Sequence, residues 1–531
     1  MAEVRTFDFI VVGGGSAGCV VTHRLVRAGH SVLMLEAGPK DDTQFIQMPA
    51  TFVRVIGTER TWVYQTEHQP HAAGRTLYVP QGRTLGGGSS VNAMVYIRGT
   101  AADYDGWAAQ GCTGWGWDEV LPVFKRAESN ERLSEPWHGT DGPLRVSDGH
   151  RHPLCSAFVK AAQEVGLRYN DDFNGEHQLG VGFYQTTTFD GQRGSTAATY
   201  LAAVQGDPKL EVQTGAHVLR VLTEGGAATG VEYRMASGAT LRAEARREVI
   251  LAAGGLATPK IMMLSGIGPG EHLRSHGIEV VHDLPGVGGN YHDHLEVGVY
   301  GRARDPISLA GNDRGLTALR HGIQWKAFRT GLLTSNVVEC GGFVDTLGSG
   351  RADVQFHVLP VLVGDVDREP LPGHGVSINP CFLHPRSRGS VRLRDADPMS
   401  AIVFDGGYLS NPADVATLVR GIKLARRILR APSMRKVVSE ELAPGSADEV
   451  GDEQLADYAR QRAKTVYHPV GTCRMGAERD AAAVVDPKLR VRGLQRLRVC
   501  DASVMPAIIG GNTNAPTIMI AERCAEFILA G

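Results

Sequence analysis

Residues 7–12 (Phe-Asp-Phe-Ile-Val-Val) form a short apolar run of the kind shown by a strand buried on both faces, and Gly13-Gly14-Gly15 ends it at a tight turn. From Ser16 the pattern becomes helical, with Ala17, Val21, Leu25 and Ala28 on one side until Gly29 stops it. Residues 31–35 are a second buried run, closed by Glu36. Near the other end of the chain, residues 497–500 read as another buried strand and residues 517–529 as an amphipathic helix with Pro516 at its start. Between these lie strand-like pieces such as residues 354–358. A helix is predicted over 412–429, with Asn411 as N-cap and Pro412 in its first position. No apolar run reaches the roughly 18 residues that a spanning helix needs, so no integral membrane segment is expected.

The first of these patterns carries chemistry. Gly13, Gly15 and Gly18 make G-x-G-x-x-G between strand and helix, with Glu36 closing the next strand. Gly13 permits the turn, Gly15 admits a pyrophosphate close to the backbone, Gly18 lets helix pack on strand, and Glu36 can take ribose hydroxyls. A glycine turn alone is a weak signal. In register with strand, helix, strand and acid it reads as a dinucleotide site, without distinguishing NAD from FAD. The alternation then breaks off after Ala37-Gly38-Pro39, which disfavours a self-contained nicotinamide half.

Composition narrows the picture further. At 531 residues and 56.9 kDa, two to four domains or subdomains are expected, and 42% hydrophobic with 21% charged residues is ordinary globular usage. The formal net charge of −2 gives no global basic field, so nucleic acid is not an expected partner. Eight scattered cysteines without a CxxC pair argue against zinc, iron–sulfur or disulfide frameworks. They fit a reducing compartment. The amino-terminal residues leave no room for a signal peptide, so the expected location is cytoplasmic, with peripheral contact to the inner membrane as the alternative. The 66 glycines are clustered, which points to turns against a ligand.

The densest cluster is Gly82-Arg83-Thr84-Leu85-Gly86-Gly87-Gly88-Ser89-Ser90-Val91-Asn92, suited to lay backbone N–H groups against a flat or phosphorylated ligand. Here the sequence resembles the glucose-methanol-choline (GMC) family of flavin oxidoreductases, whose first signature runs similarly through Asn92, Gly99 and Asp105. The resemblance continues through residues 137–144, 253–259, 265–269 and 285–288 to the block from Tyr467, nearly the whole chain. It implies an α/β, Rossmann-like FAD-binding domain with an α+β substrate cap built on an antiparallel sheet. The FAD domain would comprise residues 1–150, 190–310 and 465–531, and the cap residues 151–189 and 311–464. It assigns the ADP half of FAD to Gly13, Gly15, Ser16, Gly18, Glu36 and Ala37, with the backbone of Val218 against the adenine. Arg83, Gly87, Ser90, Asn92 and Ala93 fall nearer the flavin, and Asp501, Ala502, Asn512 and Thr513 at the ribityl, pyrophosphate and ring. Val91 stands where some relatives carry a flavin-linked histidine, which implies non-covalent FAD. Gly255 replaces the usual Ala or Ser, and Tyr291 the usual Leu.

The resemblance also marks His468, fixed by Pro469, as the base that takes the hydroxyl proton while hydride leaves the carbinol carbon. It marks Asn512 as donor to the same oxygen. Competing constellations are weaker. His292-Asp293-His294 looks like a metal triplet but also fits a structural loop. His272 and His276 fit one solvated helix face, and Met262-Met263-Leu264 reads as core. The segments 335–343 and 384–389 resemble both L-sorbose and bacterial choline dehydrogenases. The expected substrate is therefore a primary alcohol, polyol or sugar, with choline-like or aryl and furfuryl alcohol oxidation as alternatives. Glu339 is open between partner of a quaternary ammonium and salt-bridge partner of a cap arginine. Electrons would pass to a quinone, a dye or O2. An NAD-dependent dehydrogenase and a non-redox lyase on the same fold are the remaining readings.

Overall fold

A computed structural model describes residues 5–364, 371–445 and 450–531. Its first sheet has the strand order Leu210–Thr214, Val32–Glu36, Arg5–Val12, Thr240–Leu251, Ala227–Met235, Ala216–Glu224, and Leu497–Val499 pairs in parallel with Thr240–Leu251. The strands around Arg5–Val12 run parallel, and the last two hairpin-connected strands run antiparallel. Phe9, Ile10, Val11, Val32, Leu33 and Met34 are buried, as two-faced burial requires. Val12 lies opposite both Leu35 and Leu251. That register brings the Gly13 turn, Glu36 and Ala252 to one carboxyl-terminal edge, where open α/β sheets bind ligands.

The second sheet is antiparallel, in the order Val438–Ala443, Val299–Ala303, Gly375–Phe382, Val354–Leu359, Cys340–Val344, Gly180–Phe183. Leu295–Glu296 pairs with both Gly375–Phe382 and Lys464–Thr465. The strands at 295–303 thus hydrogen-bond in the cap sheet, although they lie in the stretch 190–310 assigned by sequence to the FAD domain. The helix Pro412–Leu429 covers this sheet with Leu418, Ile422 and Ala425, and Asn411 caps it by accepting from the Ala413 N–H at 3.0 Å.

The carboxyl-terminal helix spans Asn514–Leu529, three residues earlier than its hydrophobic pattern suggested. Pro516 sits inside its first turn, where no intrahelical N–H bond is lost. All eight cysteines are free and buried.

Candidate active site

A cavity of about 1490 Å³ runs from the edge of the first sheet to the face of the second, well above the usual few hundred Å³ of a small-ligand pocket. Gly13, Gly15, Ser16, Glu36, Ala37, Gly87, Asn92, Ala93, Val218, Asp501, Ala502, Asn512, Thr513 and His468 all line it.

Close packing of glycines shapes one end. A Cβ on Gly18 would stand 1.9 Å from the Gly13 carbonyl oxygen, and one on Gly87 2.7 Å from the Gly15 Cα, so helix, strand and the two glycine loops interlock. On Gly15 a Cβ would meet nothing nearer than 3.9 Å, leaving its backbone open to a ligand. The Ser16 hydroxyl donates to Asn514 Oδ1 (2.8 Å) and accepts from the Ser89 N–H (3.2 Å), tying both loops to the carboxyl-terminal helix. The N-terminus of that 16-residue helix, at Asn514 and Thr517, opens on the cavity and carries partial positive charge.

Glu36 accepts from the N–H groups of Gly14 (2.9 Å) and Gly38 (2.8 Å), and burial lifts its carboxyl to about 7 despite those bonds. Asp501 accepts from the Gly254 N–H, the Thr258 hydroxyl and the Ser503 N–H, which fixes its loop. Three predicted residues do not reach the cavity wall. Gly18 serves packing, and Ser90 donates to the Leu85 carbonyl (2.7 Å) within its loop. The Arg83 guanidinium is turned outward onto the Trp62 ring at 4.7 Å. The nearby arginine that does engage the loop is Arg193, which sequence reading passed over. It is 3% exposed and donates to Asn92 Oδ1 (2.8 Å), the Ser89 carbonyl and the Ile46 carbonyl.

At the other end, His468 is held by its neighbours' bonding. Its N–H donates to Asp293 Oδ1 (2.7 Å), and Asp293 Oδ2 accepts from Thr465 (2.5 Å), Tyr291 (3.1 Å) and Tyr408 (3.2 Å). Tyr291 therefore adds a bond to the very carboxylate that holds His468. Gly255 is explained likewise, since a Cβ there would lie 2.4 Å from the Pro469 carbonyl oxygen. His468 Nδ1 lies 3.0 Å from His294 Nδ1, and His294 Nε2 lies 3.0 Å from the Leu383 carbonyl. A carbonyl only accepts, so His294 carries its proton on Nε2. Burial drives the His294 pKa down to about 3 and keeps that ring neutral, so its Nδ1 is an acceptor. His468 must then donate from Nδ1. Its own pKa is pushed well below 6.5, mainly by burial. A neutral imidazole with the proton on Nδ1 presents a bare lone pair at Nε2.

Asn512 Oδ1 accepts from Gln355 Nε2 (3.0 Å), which leaves the Asn512 amide N–H groups as donors. His357 also lines the cavity. Its Nδ1 is 2.8 Å from Glu296 Oε2 and its buried Nε2 has no protein partner among the described residues. Glu296 further accepts from Asn379 (2.8 Å) and faces Lys464 (3.6 Å). Glu296, Gln355 and His357 escaped the sequence reading as site residues, and His294 was noticed there only within the His292-Asp293-His294 triplet. Their only signal was polar residues at two-residue spacing in runs otherwise apolar.

One sequence expectation is corrected. Glu339 accepts from His150 Nδ1 (2.8 Å), the Ser335 hydroxyl (2.6 Å) and the His152 N–H (2.5 Å), is 1% exposed and does not line the cavity. It is neither an ammonium partner nor paired with an arginine, because His150 and His152 of the loop before helix Pro153–Glu164, with Ser335, supply its partners. The His292-Asp293-His294 triplet diverges, Asp293 toward Thr465 and the tyrosines and His294 toward His468. Among the described residues no His, Cys, Asp or Glu groups are placed to hold a metal.

The GMC oxidoreductase family models match residues 7–296 (amino-terminal) and 385–521 (carboxyl-terminal). The chain belongs to the GMC oxidoreductase family. It is 46% identical over 533 residues to an alcohol dehydrogenase [acceptor] of Pseudomonas putida, covering 98% of this chain and 96% of that protein. It is 40% identical over 527 residues to an oxygen-dependent choline dehydrogenase of Brucella ovis, covering 98% and 95%. Among solved structures, pyridoxine 4-oxidase from Mesorbium loti superposes with TM-score 0.88 at 30% identity over 99% of each chain. The R554K variant of formate oxidase from Aspergillus oryzae RIB40 superposes with TM-score 0.92 at 26% identity over 100% and 99%. The protein is thus an FAD-dependent oxidoreductase acting on CH–OH donors, with a small-molecule alcohol substrate and an electron acceptor. The cavity fits that cofactor: interlocked glycines and Glu36 at one end, a helix N-terminus along it, and room for a flat ring beside His468. Among the described residues, no helix is long and apolar enough to cross a membrane.

Proposed function

We propose that this enzyme oxidises an apolar primary alcohol to its aldehyde, with His468 Nε2 as the proton acceptor. The bonding chain Leu383 carbonyl, His294, His468 carries this reading, because it leaves a lone pair and no proton at the imidazole edge that a substrate hydroxyl would meet. Asn512, its oxygen engaged by Gln355, donates N–H to the same hydroxyl oxygen and favours developing alkoxide character. When bound, FAD supplies the two-electron acceptor for the carbinol hydride. Gly13, Gly15, Glu36 and Val218 would hold its ADP portion, Asn92, Ala93, Asp501 and Thr513 the portion nearer the ring. Val91 at the cavity wall offers no nucleophile for a covalent link, which supports dissociable FAD.

Of the alcohols compatible with the sequence, the cavity lining favours apolar ones. Met48, Phe52, Leu309, Leu333, Val338 and Leu362 line the cavity that His468 also lines, and a sugar held against them would leave several hydroxyls unpaired. Choline is the second reading, supported by the similarity to choline dehydrogenases. Against it, Glu296, the cavity-wall carboxylate beside His357, is already matched by His357, Asn379 and Lys464.

Anaerobic stopped-flow mixing of the holoenzyme with hexanol, benzyl alcohol, choline and L-sorbose tests this. Bleaching of the flavin band fastest with hexanol or benzyl alcohol is expected. Faster bleaching by sorbose or choline refutes the substrate class, and no bleaching by any alcohol favours the lyase reading. A pulse of air then separates O2 from a quinone or dye as acceptor.

A further inference from the structure

The lip of the cavity exposes a row of large apolar side chains. In the helix Gly315–Phe328, Leu316 is 84% exposed and Leu319 and Ile323 are 58% exposed each. The opposite face is anchored by Trp325, 3% exposed, whose Nε1 donates to the Gly191 carbonyl at 2.7 Å. At about 100° per residue, Leu316, Leu319 and Ile323 project within one ~60° sector, with Lys326 about 20° beyond one edge and Arg320 about 40° beyond the other. Across the mouth, Phe45 (42%) and Val53 (55%) are exposed too. Arg54 between them reaches Asp313 Oδ2 at 3.3 Å, and Asp313 also faces Arg314. Among the described residues, the acid at this lip, Asp313, is therefore matched, whereas Arg320 and Lys326 have no ion-pair partner.

We propose that this lip docks on an anionic lipid bilayer, with Leu316, Leu319 and Ile323 entering the headgroup boundary and Arg320 and Lys326 meeting lipid phosphates. An outward apolar stripe bracketed by Arg and Lys is the arrangement of a helix lying in a membrane interface. Charge complementarity is local, since the chain as a whole carries a formal −2. Fourteen residues make a helix of about 21 Å, too short to span a bilayer. Leu319 and Ile323 belong both to the exposed stripe and to the cavity wall. An apolar alcohol dissolved in lipid would thus enter the site without crossing bulk water. This use rests on the apolar-alcohol reading, but lipid binding itself does not and is measured without substrate.

The test is co-sedimentation of the FAD-loaded enzyme with vesicles of phosphatidylcholine alone and of phosphatidylcholine with phosphatidylglycerol. Binding to the anionic vesicles is expected. Leu316→Gln/Leu319→Gln should lower the partition coefficient at least about tenfold, and Arg320→Gln/Lys326→Gln about thirtyfold. Retained flavin absorbance and melting temperature establish that each variant is folded. Wild-type enzyme left in the supernatant with every lipid mixture overturns the proposal, as do folded variants that bind like wild type. Sedimentation velocity without lipid supplies the other arm: a dimer that Leu316→Gln/Leu319→Gln turns into monomer makes this face a contact between copies and likewise overturns it.

Discussion

Replacing His294 by leucine tests whether the proton on His468 is placed by its neighbour. His294 is fully buried, touches His468 through one bond of 3.0 Å, and reaches no substrate atom in the proposed reaction. Leucine removes the acceptor and leaves the His468 Nδ1–H unpaired inside the protein. Leaving a buried donor unsatisfied costs about 1–3 kcal/mol. That cost falls only on the tautomer with the proton on Nδ1, so the population with a free Nε2 lone pair drops by about 5- to 150-fold. Flavin reduction by alcohol should slow by that factor, while FAD content and the substrate concentration giving half-maximal reduction stay near wild type. His294→Asn, which can return an oxygen to the position of Nδ1, should recover most of the rate. Stopped-flow reduction under saturating alcohol reads all three proteins. A His294→Leu enzyme reducing its flavin within threefold of wild type, with FAD fully bound, would refute the tautomer argument.

His468→Ala should keep FAD and lose about 10²–10⁴-fold in the rate of flavin reduction, read in the same instrument. Gly18→Ala drives a Cβ to within 1.9 Å of the Gly13 carbonyl oxygen, so a melting-temperature drop equivalent to about 1–3 kcal/mol and a reduced flavin-to-protein absorbance ratio are expected. Burial depresses the pKa values of His468 and His292 well below 6.5, of His294 to about 3 and of His217 to about 4. The unfolded chain binds protons at these rings below pH 6.5 and the folded chain does not, so their contribution is full above that pH and drains as pH falls. Glu36, raised to about 7, and Asp293, raised to about 6, act oppositely, holding protons when folded that they release when unfolded. Four rings outnumber two carboxyls, so the melting temperature of the holoenzyme should fall between pH 7 and 5; a rise would contradict the sign. The same depression at His468 places the acid limb of the flavin-reduction rate well below pH 6.5, and a limb above pH 7 would refute it.

What could be read along the chain was whatever local chemistry imposes. The turn from strand to helix at Gly13 to Gly18 is set by glycines that a side chain would block, and the helix Pro412–Leu429 begins where Asn411 caps it and proline is tolerated. His468, Asn512 and the glycine loops were recognisable because each lies in a contiguous motif. Only the tertiary structure decided how His468 is tuned. Its tautomer depends on His294 and Leu383, its backbone on Asp293, and its surroundings on Gln355, His357 and Glu296, which converge because Val354–Leu359 and Gly375–Phe382 pair in one register. A one-residue slip in that pairing would turn the same polar side chains to the opposite face. The outward turn of Arg83, the burial of Glu339 among His150 and Ser335, and the exposure of Leu316 are equally products of packing. Hydrogen-bond direction and burial are properties of neighbours brought from far along the chain, and neither has a local sequence signature.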